Sequence, residues 1–395
     1  MRNLLQQKSI VVLCGSGGVG KTTLSAALAL MGALEGRRSL VLTVDPAGRL
    51  SQVMGLKKLE ENRPRLIPRT FFARAGLHPA GSLSAVRIDT RSAFDRIIEK
   101  TAPSPAVSER ILTNPIYDHM AGYMTGSHEL VAMDKVLEFY QSGQYDLLVL
   151  DTPPTRYALN FLDAPGKLLN FLDDSVLQWF IKPAVLLGKF PLKLFSRGPG
   201  FHLGFLERFT GAHILRHLVE FCANFSEMSH SFKERATQVR AVLGSDRAAF
   251  VLAAAPSRVD IWENRFFCQR LLAESMPLAY VVVNRVRPLH GYPDALPQEP
   301  SMEDLHEALK HAVNGEALTS MNLQRVMEKL KTTAELQRRL AQMDSDAIRL
   351  LKEQLPPHLR RAFGVVPLVE ERINNARALH TVGKHLVNIA PDDAA

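Results

Sequence analysis

The glycine-rich segment 9–23 carries the residues whose types and spacing best suit chemistry. It reads SIVVLCGSGGVGKTT, a β-branched apolar run that turns into glycines and then into a helical pattern. Gly15, Gly20, Lys21 and Thr22 match the spacing G-x-x-x-x-G-K-[ST]. Glycines at this spacing let consecutive backbone N–H groups point at phosphate oxygens, and the N-terminus of the following helix adds positive potential. The segment therefore predicts a loop that binds the phosphates of a nucleotide.

The side chains of this loop have distinct expected roles. Lys21 would contact the β- and γ-phosphates, the Thr22 hydroxyl would bind Mg²⁺, and Thr23 would lie next to the α-phosphate. The other loop residues would contribute backbone N–H groups. The expected phosphate-binding residues are Gly15, Ser16, Gly17, Gly18, Val19, Gly20, Lys21, Thr22 and Thr23.

Two aspartates directly follow predicted apolar strands. Asp45 comes after the run 39–44, and Asp151 comes after the run 145–150. The carboxyl ends of parallel strands meet at one edge of a sheet, so both acids should lie near the phosphate loop. Asp45 would orient an attacking water or hold a water of the Mg²⁺ shell, and Asp151 would help to hold the metal. The alternative is an ordinary Asp-Pro turn and a capped loop without a nucleotide. The expected Mg²⁺-binding residues are Thr22, Asp45 and Asp151.

These elements predict an α/β fold with a mainly parallel central sheet flanked by helices. The chain has 395 residues, of which 46% are hydrophobic and 22% charged, a composition that excludes collagen-like, low-complexity and mostly disordered proteins. The formal charge of +8 arises from 48 basic and 40 acidic side chains. Such a mixed surface does not indicate a nucleic-acid partner.

The cysteines and the apolar stretches bear on the compartment. Cys14, Cys222 and Cys268 are too few and too scattered for a disulfide framework, which suits a reducing cytosol. The N-terminal segment lacks the features of a signal peptide, and lysines and prolines interrupt the apolar stretch 176–195. We therefore expect a cytoplasmic protein.

Three blocks of the sequence resemble the ArsA-type ATPases, the family of arsenite-pump ATPases and of the guided-entry ATPases that target tail-anchored membrane proteins. They are GSGGVGKTT at 15–23, VDPAGRLSQVMG at 44–55 and LDTPPTRYALNFLDAP at 150–165. The second and third are similar to the family's switch I and switch II. Two weaker blocks, VVVNR at 281–285 and VVPL at 365–368, imply that Asn284 and Pro367 contact the adenine.

The resemblance implies one P-loop NTPase domain over residues 1–395, which binds ATP and Mg²⁺ and acts as a homodimer. Hydrolysis would be coupled to the binding or release of a hydrophobic client or partner. The alternatives are a non-hydrolysing ATP-binding scaffold, a membrane-surface partition-type ATPase and an anion-pump ATPase.

Departures from the family pattern alter these expectations. Ser16 stands where the family has its signature lysine, which there reaches the partner's phosphates. The lysine could instead come from a paralogous subunit, which would make a heterodimer. Arg156 and Tyr157 replace the Gly-His of switch II, so Arg49 and Arg156 are candidates to neutralise phosphate charge. The expected catalytic residues are Asp45, Lys21 and Arg156.

The cysteine positions also depart from both branches of the family. No C-x-x-C pair is present to bridge zinc, and the thiols do not match those that bind metalloids in the pump branch. We therefore expect no zinc bridge and no arsenite response.

Two helical regions are predicted within the domain. A Phe-rich subdomain at about 160–245 contains eleven of the nineteen phenylalanines, between Phe161 and Phe232. In the targeting relatives the corresponding region forms an apolar groove for a client's transmembrane segment, whereas the simpler interpretation is packing onto the sheet. A charged helical insertion is predicted at about 301–355, from apolar positions at helical spacing.

Overall fold

The computed structural model describes residues 1–117, 127–152, 212–288, 307, 320–369 and 371–388. Eight strands form one sheet in the order β3-β4-β2-β5-β1-β6-β7-β8. All neighbouring strands are parallel except β3, which is antiparallel to β4. The predicted α/β fold with a mainly parallel sheet is therefore confirmed. The strands are β1 (Ile10–Gly15), β2 (Arg38–Thr43), β3 (Arg65–Leu66), β4 (Ser82–Arg87), β5 (Leu147–Asp151), β6 (Ala248–Ala254), β7 (Leu278–Val286) and β8 (Phe363–Pro367).

Helices cover both faces of this sheet. One face packs against α1 to α4 and α12, and the other packs against α5 to α11. The described helices are α1 (Arg2–Gln7), α2 (Lys21–Leu34), α3 (Arg49–Val53), α4 (Arg69–Ala73), α5 (Thr90–Thr101), α6 (Pro105–Leu112), α7 (Ser127–Gln141), α8 (Ala212–Leu243), α9 (Arg258–Ala273), α10 (Ser320–Gln354), α11 (Pro357–Arg361) and α12 (Ala376–Val387).

The central strands are buried on both faces, which explains their continuous apolar composition. Every residue of β1, β5 and β6 is buried. Side chains of β1 alternate between the two cores: Ile10, Val12 and Cys14 face one, and Val11 and Leu13 face the other. The centre of the sheet is therefore covered by apolar packing on both sides.

The strand order brings three separate segments of the chain to one edge. β5 lies between β1 and β2, and Asp151 is in register with Leu13 on one side and Thr43 on the other. Ligands of open α/β sheets bind outside the carboxyl ends of the strands. The loops that follow β1, β2 and β5 therefore meet where such a ligand is expected.

Parts of the predicted helical regions and of switch II lie outside the described residues. Arg156 and the rest of 153–165 are among them, as is the Phe-rich region before residue 212. Within the insertion at 301–355, residues 320–354 form one continuous helix, α10. Among the described helices, none combines the length with the apolar composition that a membrane span requires.

Candidate active site

The phosphate loop joins the end of β1 to the start of α2, as the spacing predicts. Gly15, Gly18 and Gly20 have φ angles of 146°, 81° and 91°, a backbone region that favours glycine. A Cβ atom on Gly15 would lie 2.0 Å from the Ala253 carbonyl oxygen, and one on Gly20 would lie 2.4 Å from Asn284 Nδ2. The loop is therefore pressed against β6 and β7, and glycine is required for close approach as well as for backbone angle.

Lys21 lies folded over the loop that it follows. Its side chain is buried, and Nζ donates hydrogen bonds of 2.8 Å to the carbonyl oxygens of Gly15 and Ser16. Burial lowers the pKa of Lys21, and the nearby Asp151 acts in the opposite direction. The ammonium group is thus held at the loop by weak neutral acceptors, which phosphate oxygens could replace.

Asp151 occupies the end of β5 beside the loop. Its Oδ2 accepts hydrogen bonds from the hydroxyls of Thr22, at 2.7 Å, and Thr43, at 2.9 Å. Its Oδ1 is buried and has no hydrogen-bond partner among the described residues. Burial raises the pKa of Asp151 to about 6, against the hydrogen bonds from both threonines and the charge of Lys21.

The unpartnered oxygen of Asp151 fits the binding of a cation. A buried carboxylate oxygen without a donor is costly, and a divalent metal at this point would remove that cost. Among the described residues no group of three or more His, Cys, Asp or Glu side chains could hold a metal. Mg²⁺ bound to a nucleotide takes one or two protein oxygens and completes its shell with phosphates and water. Thr22 and Asp151 are the described side chains placed to supply them.

Asp45 lies in the loop after β2 and is held less tightly. Its Oδ1 accepts a hydrogen bond of 3.0 Å from the Ala47 amide, two residues further on. Its Oδ2 lies 3.6 Å from Arg49 Nε, and the Arg49 side chain is 64% exposed. That Oδ2 also has no hydrogen-bond partner within the described residues. The acid is therefore held by its own turn and by a neighbouring cation.

Thr43 connects the two acids, and the sequence analysis missed it. Its hydroxyl donates to Asp151 and accepts a hydrogen bond of 3.2 Å from the backbone amide of Asp45. Thr43 is 1% exposed. The available signal was a hydroxyl residue that follows the apolar run 40–42 at the end of the strand, two positions before Asp45.

Ser16 makes a contact that the sequence did not suggest. Its side chain is buried, and Oγ donates a hydrogen bond of 2.5 Å to Oδ1 of Asp260, in the first turn of α9. Ser257 is the N-cap of that helix and accepts a hydrogen bond from the Asp260 amide. The Ser-x-x-Asp spacing after β6 could have indicated a capped helix, but not its proximity to the phosphate loop.

The residues expected near the adenine lie on the two strands beyond β6. Asn284, in β7, donates from Nδ2 to the Val19 carbonyl oxygen at 2.8 Å. The next residue, Arg285, donates to the Gly18 carbonyl oxygen at the same distance. Pro367 ends β8 and is in register with Val286. Asn284 thus touches the phosphate loop itself, and Pro367 lies one strand further out.

The family and the relatives that match this chain are ATPases, which agrees with the phosphate loop described above. The family model described as anion-transporting ATPase matches residues 8–191. The chain is 31% identical to the ATPase GET3 of Malassezia globosa over 172 residues, which cover 42% of this chain and 46% of that protein. It is 24% identical to the ATPase GET3 of Mycosarcoma maydis over 289 residues, 72% of this chain and 75% of the relative.

A further relative comes from a green alga. The ATPase ARSA1 of Chlamydomonas reinhardtii is 26% identical over 299 residues, 71% of this chain and 35% of that protein. The chain thus spans about half the length of the Malassezia relative and about a third of the algal one. The matched segment 8–191 contains the phosphate loop, Asp45 and Asp151. The matches and the strand–loop–helix site agree: residues 8–191, which carry the phosphate loop and both acids, are similar to the family described as anion-transporting ATPase.

Proposed function

We propose that the chain binds ATP and Mg²⁺ at the loop 15–23 and hydrolyses the γ-phosphate, and that this cycle controls association with a second copy and with a hydrophobic client. One observation carries the proposal. Lys21, Thr22 and Asp151 converge at the ends of β1 and β5, and the Thr43 hydroxyl ties Asp45 to the same point. Such a constellation has no evident role without a polyphosphate.

Each group would change its partner when the nucleotide binds. Lys21 would exchange the carbonyl oxygens of Gly15 and Ser16 for phosphate oxygens, which are stronger acceptors because they are charged. Thr22 would turn its hydroxyl oxygen, and Asp151 its free Oδ1, towards Mg²⁺. When bound, Mg²⁺ supplies neutralisation of phosphate charge.

Asp45 would then act on the water that attacks the γ-phosphate. Its Oδ2 has no hydrogen-bond partner among the described residues and would accept a hydrogen bond from that water, while the bond from Ala47 to Oδ1 orients the carboxylate. Arg49 lies against this acid and is one candidate to neutralise the developing charge. Arg156 is the other candidate in the proposal. Loss of the γ-phosphate would release the 45–55 loop, a common form of nucleotide switch.

The partner part of the proposal depends on the family resemblance. We propose a cytoplasmic homodimer in which residues 1–395 act as one ATPase domain, with a client bound through the Phe-rich region at about 160–245. Asn284 and Pro367 would lie on the adenine side. Ser16 favours a second possibility, a scaffold that binds ATP without hydrolysing it, because its contact is an acid and not a cation.

The test of hydrolysis compares wild type with Asp45→Asn. We expect turnover of Mg·ATP to fall about 100-fold in the variant while ATP affinity changes little, because loss of a group that acts on the attacking water costs about that factor. Asp246→Asn, at an exposed site, is the control and should match wild type. Equal inactivity of wild type and Asp45→Asn with tight ATP binding would favour the scaffold.

The test of assembly is a light-scattering mass with ATP, with ADP and without nucleotide. We expect a dimer that is tightest with ATP. A monomer under all three conditions would favour a heterodimer with a lysine-bearing paralogue.

A further inference from the structure

We infer that Asp260 is a positioning residue of the phosphate loop: it holds the loop through Ser16, and its charge weakens binding of ATP relative to ADP. The inference rests on the proposed nucleotide binding at 15–23. It adds a residue 244 positions away from the loop, outside every block that resembles the family.

The carboxylate of Asp260 is held on both sides. Oδ1 accepts the 2.5 Å hydrogen bond from Ser16 Oγ, and Oδ2 accepts one of 3.0 Å from Ser257 Oγ. Ser257 Oγ in turn accepts from the Asp260 amide at 3.2 Å, which closes a capping arrangement at the start of α9. The helix start therefore sets the orientation of the acid, and Ser16 meets an acceptor already in place.

Ser16 passes this restraint on to the phosphate lysine. The Ser16 carbonyl oxygen accepts a hydrogen bond from Lys21 Nζ, while the Ser16 side chain is bound to Asp260. The preceding Gly15 is packed against the Ala253 carbonyl oxygen of β6, the strand that directly precedes α9 in the chain. The first half of the loop is thus fixed by the segment β6–α9, so the loop has little freedom to lose when a nucleotide binds.

The hydrogen bond of Asp260 supports nucleotide binding, whereas its negative charge opposes it. Burial lowers the pKa of Lys21, and the negative charges of Asp151 and Asp260 both act to raise it. Both acids are therefore close enough to interact with the lysine charge. Asp151 would gain Mg²⁺ as a partner in the proposed complex, whereas the donors to the Asp260 carboxylate among the described residues are the hydroxyls of Ser16 and Ser257. Because ATP carries one more negative charge than ADP, an uncompensated carboxylate beside the loop disfavours ATP more.

A serine at position 16 is what permits this contact. Ser16 is 3% exposed, and its short side chain brings a neutral donor within 2.5 Å of the acid. The bond to a carboxylate is of the stronger, charge-assisted kind. The residue that departs from the family pattern therefore has a defined partner in this chain.

The experiment measures equilibrium dissociation constants of Mg·ADP and Mg·ATP for the full-length chain, by competition with a fluorescent N-methylanthraniloyl-ADP. Asp260→Asn keeps an acceptor for Ser16 and removes the charge. We expect it to strengthen ATP binding about fivefold relative to ADP. Asp246→Asn, with the same change of charge at the opposite end of β6, should leave the ratio as in wild type.

The hydrogen bond is tested separately from the charge. Ser16→Ala should weaken both nucleotides about tenfold and alike, the usual cost of a hydrogen bond to a charged group. Asp260→Ala should bind both nucleotides more weakly than Asp260→Asn, by a factor smaller than ten, because the amide oxygen that Asn keeps for Ser16 is a neutral acceptor. In the Ser16→Ala background, Asp260→Ala and Asp260→Asn should bind alike. Thermal melting without nucleotide identifies any variant that does not fold.

The outcomes distinguish this inference from the function on which it rests. An unchanged ATP to ADP ratio in Asp260→Asn would overturn the effect of its charge, and a difference between Asp260→Ala and Asp260→Asn that persists when Ser16 is Ala would overturn the positioning role. Wild type that binds neither nucleotide would overturn the proposed function itself, and this inference with it.

Discussion

The end of β5 and the loop after β2 each present an aspartate to the same point, but they hold it differently. Asp151 is 2% exposed and accepts hydrogen bonds from two threonines on neighbouring elements. Asp45 is half-buried, held by its own turn and by the largely exposed Arg49. The difference suits the proposed division of roles, in which the tightly held Asp151 would serve the metal and the more loosely held Asp45 would respond to the γ-phosphate.

The physical origin of the difference is the position of each acid relative to the sheet. Asp151 is the last residue of a strand whose neighbours on both sides fix its register. Asp45 comes two residues after β2 ends, so its backbone makes no ladder hydrogen bonds and its conformation depends on local contacts. Four substitutions, taken from the largest expected effect to the smallest, test this contrast between strand end and loop.

Gly15→Ala should have the largest effect, because its Cβ would overlap backbone of β6. The Cβ would lie 2.0 Å from the Ala253 carbonyl oxygen, at a φ of 146°. We expect the free energy of unfolding, measured by urea titration, to fall by more than about 4 kcal/mol. Gly48→Ala is the control in the loop, where φ is 67° and the nearest atom lies at 3.4 Å; it should cost about 1 kcal/mol. Equal costs for the two variants would contradict the contrast.

Asp151→Asn should stabilise the nucleotide-free protein at pH 7 by up to about 3 kcal/mol, from the shift of its pKa to about 6. The pKa of the folded state lies above the ordinary value of 3.8, so folding favours the protonated form. That contribution is complete below about pH 4 and is lost as the pH rises through 6.

The measurement for Asp151 is urea unfolding as a function of pH, without nucleotide or Mg²⁺. The difference in stability between Asp151→Asn and wild type should grow between pH 4 and pH 6 and then level off. A constant difference across this range would mean that burial does not raise the pKa of Asp151.

Thr43→Val should cost about 1–2 kcal/mol, because it removes a buried donor to Asp151 and an acceptor for the Asp45 amide at nearly constant volume. Thr43→Ser keeps both hydrogen bonds and should stay within about 1 kcal/mol of wild type. Thermal melting of the two variants side by side gives the comparison. The connection between the acids would lose its support if valine and serine behaved alike.

Arg49→Ala should have the smallest effect on stability, below about 0.5 kcal/mol, because its ion pair with Asp45 is largely exposed. Arg235→Ala is the contrasting control, since Arg235 pairs with Asp134, whose side chain is 5% exposed. Its removal leaves a buried acid unpaired and should cost about 3 kcal/mol. A loss of stability near that value in Arg49→Ala would show that the 45–55 loop is held as firmly as the core.

Much of the fold followed from local patterns. The strand–loop–helix at 9–34 and the apolar strands before Asp45 and Asp151 were predictable because both faces of a parallel sheet are buried and the runs are continuously apolar. The edge strands were harder. β3 has two residues, both exposed, so no hydrophobic periodicity marks it. β4 was not singled out.

The candidate site divides in the same way. Lys21, Thr22, Asp45 and Asp151 were named from spacing, because a phosphate loop and a strand that ends in an acid are local motifs. Thr43 and Asp260 were missed. Their roles depend on which side chains lie across from them, and Asp260 meets Ser16 across 244 positions of sequence.

The sequence by itself therefore determined the chemistry available: a phosphate loop, two acids at strand ends and a serine in place of a lysine. Only the tertiary structure decided which of these groups touch. The order β2-β5-β1-β6-β7 sets Thr43 beside Asp151, Asp260 beside Ser16 and Asn284 beside Val19. Strand order is a property of how separate segments pack, and no local pattern along the chain encodes it.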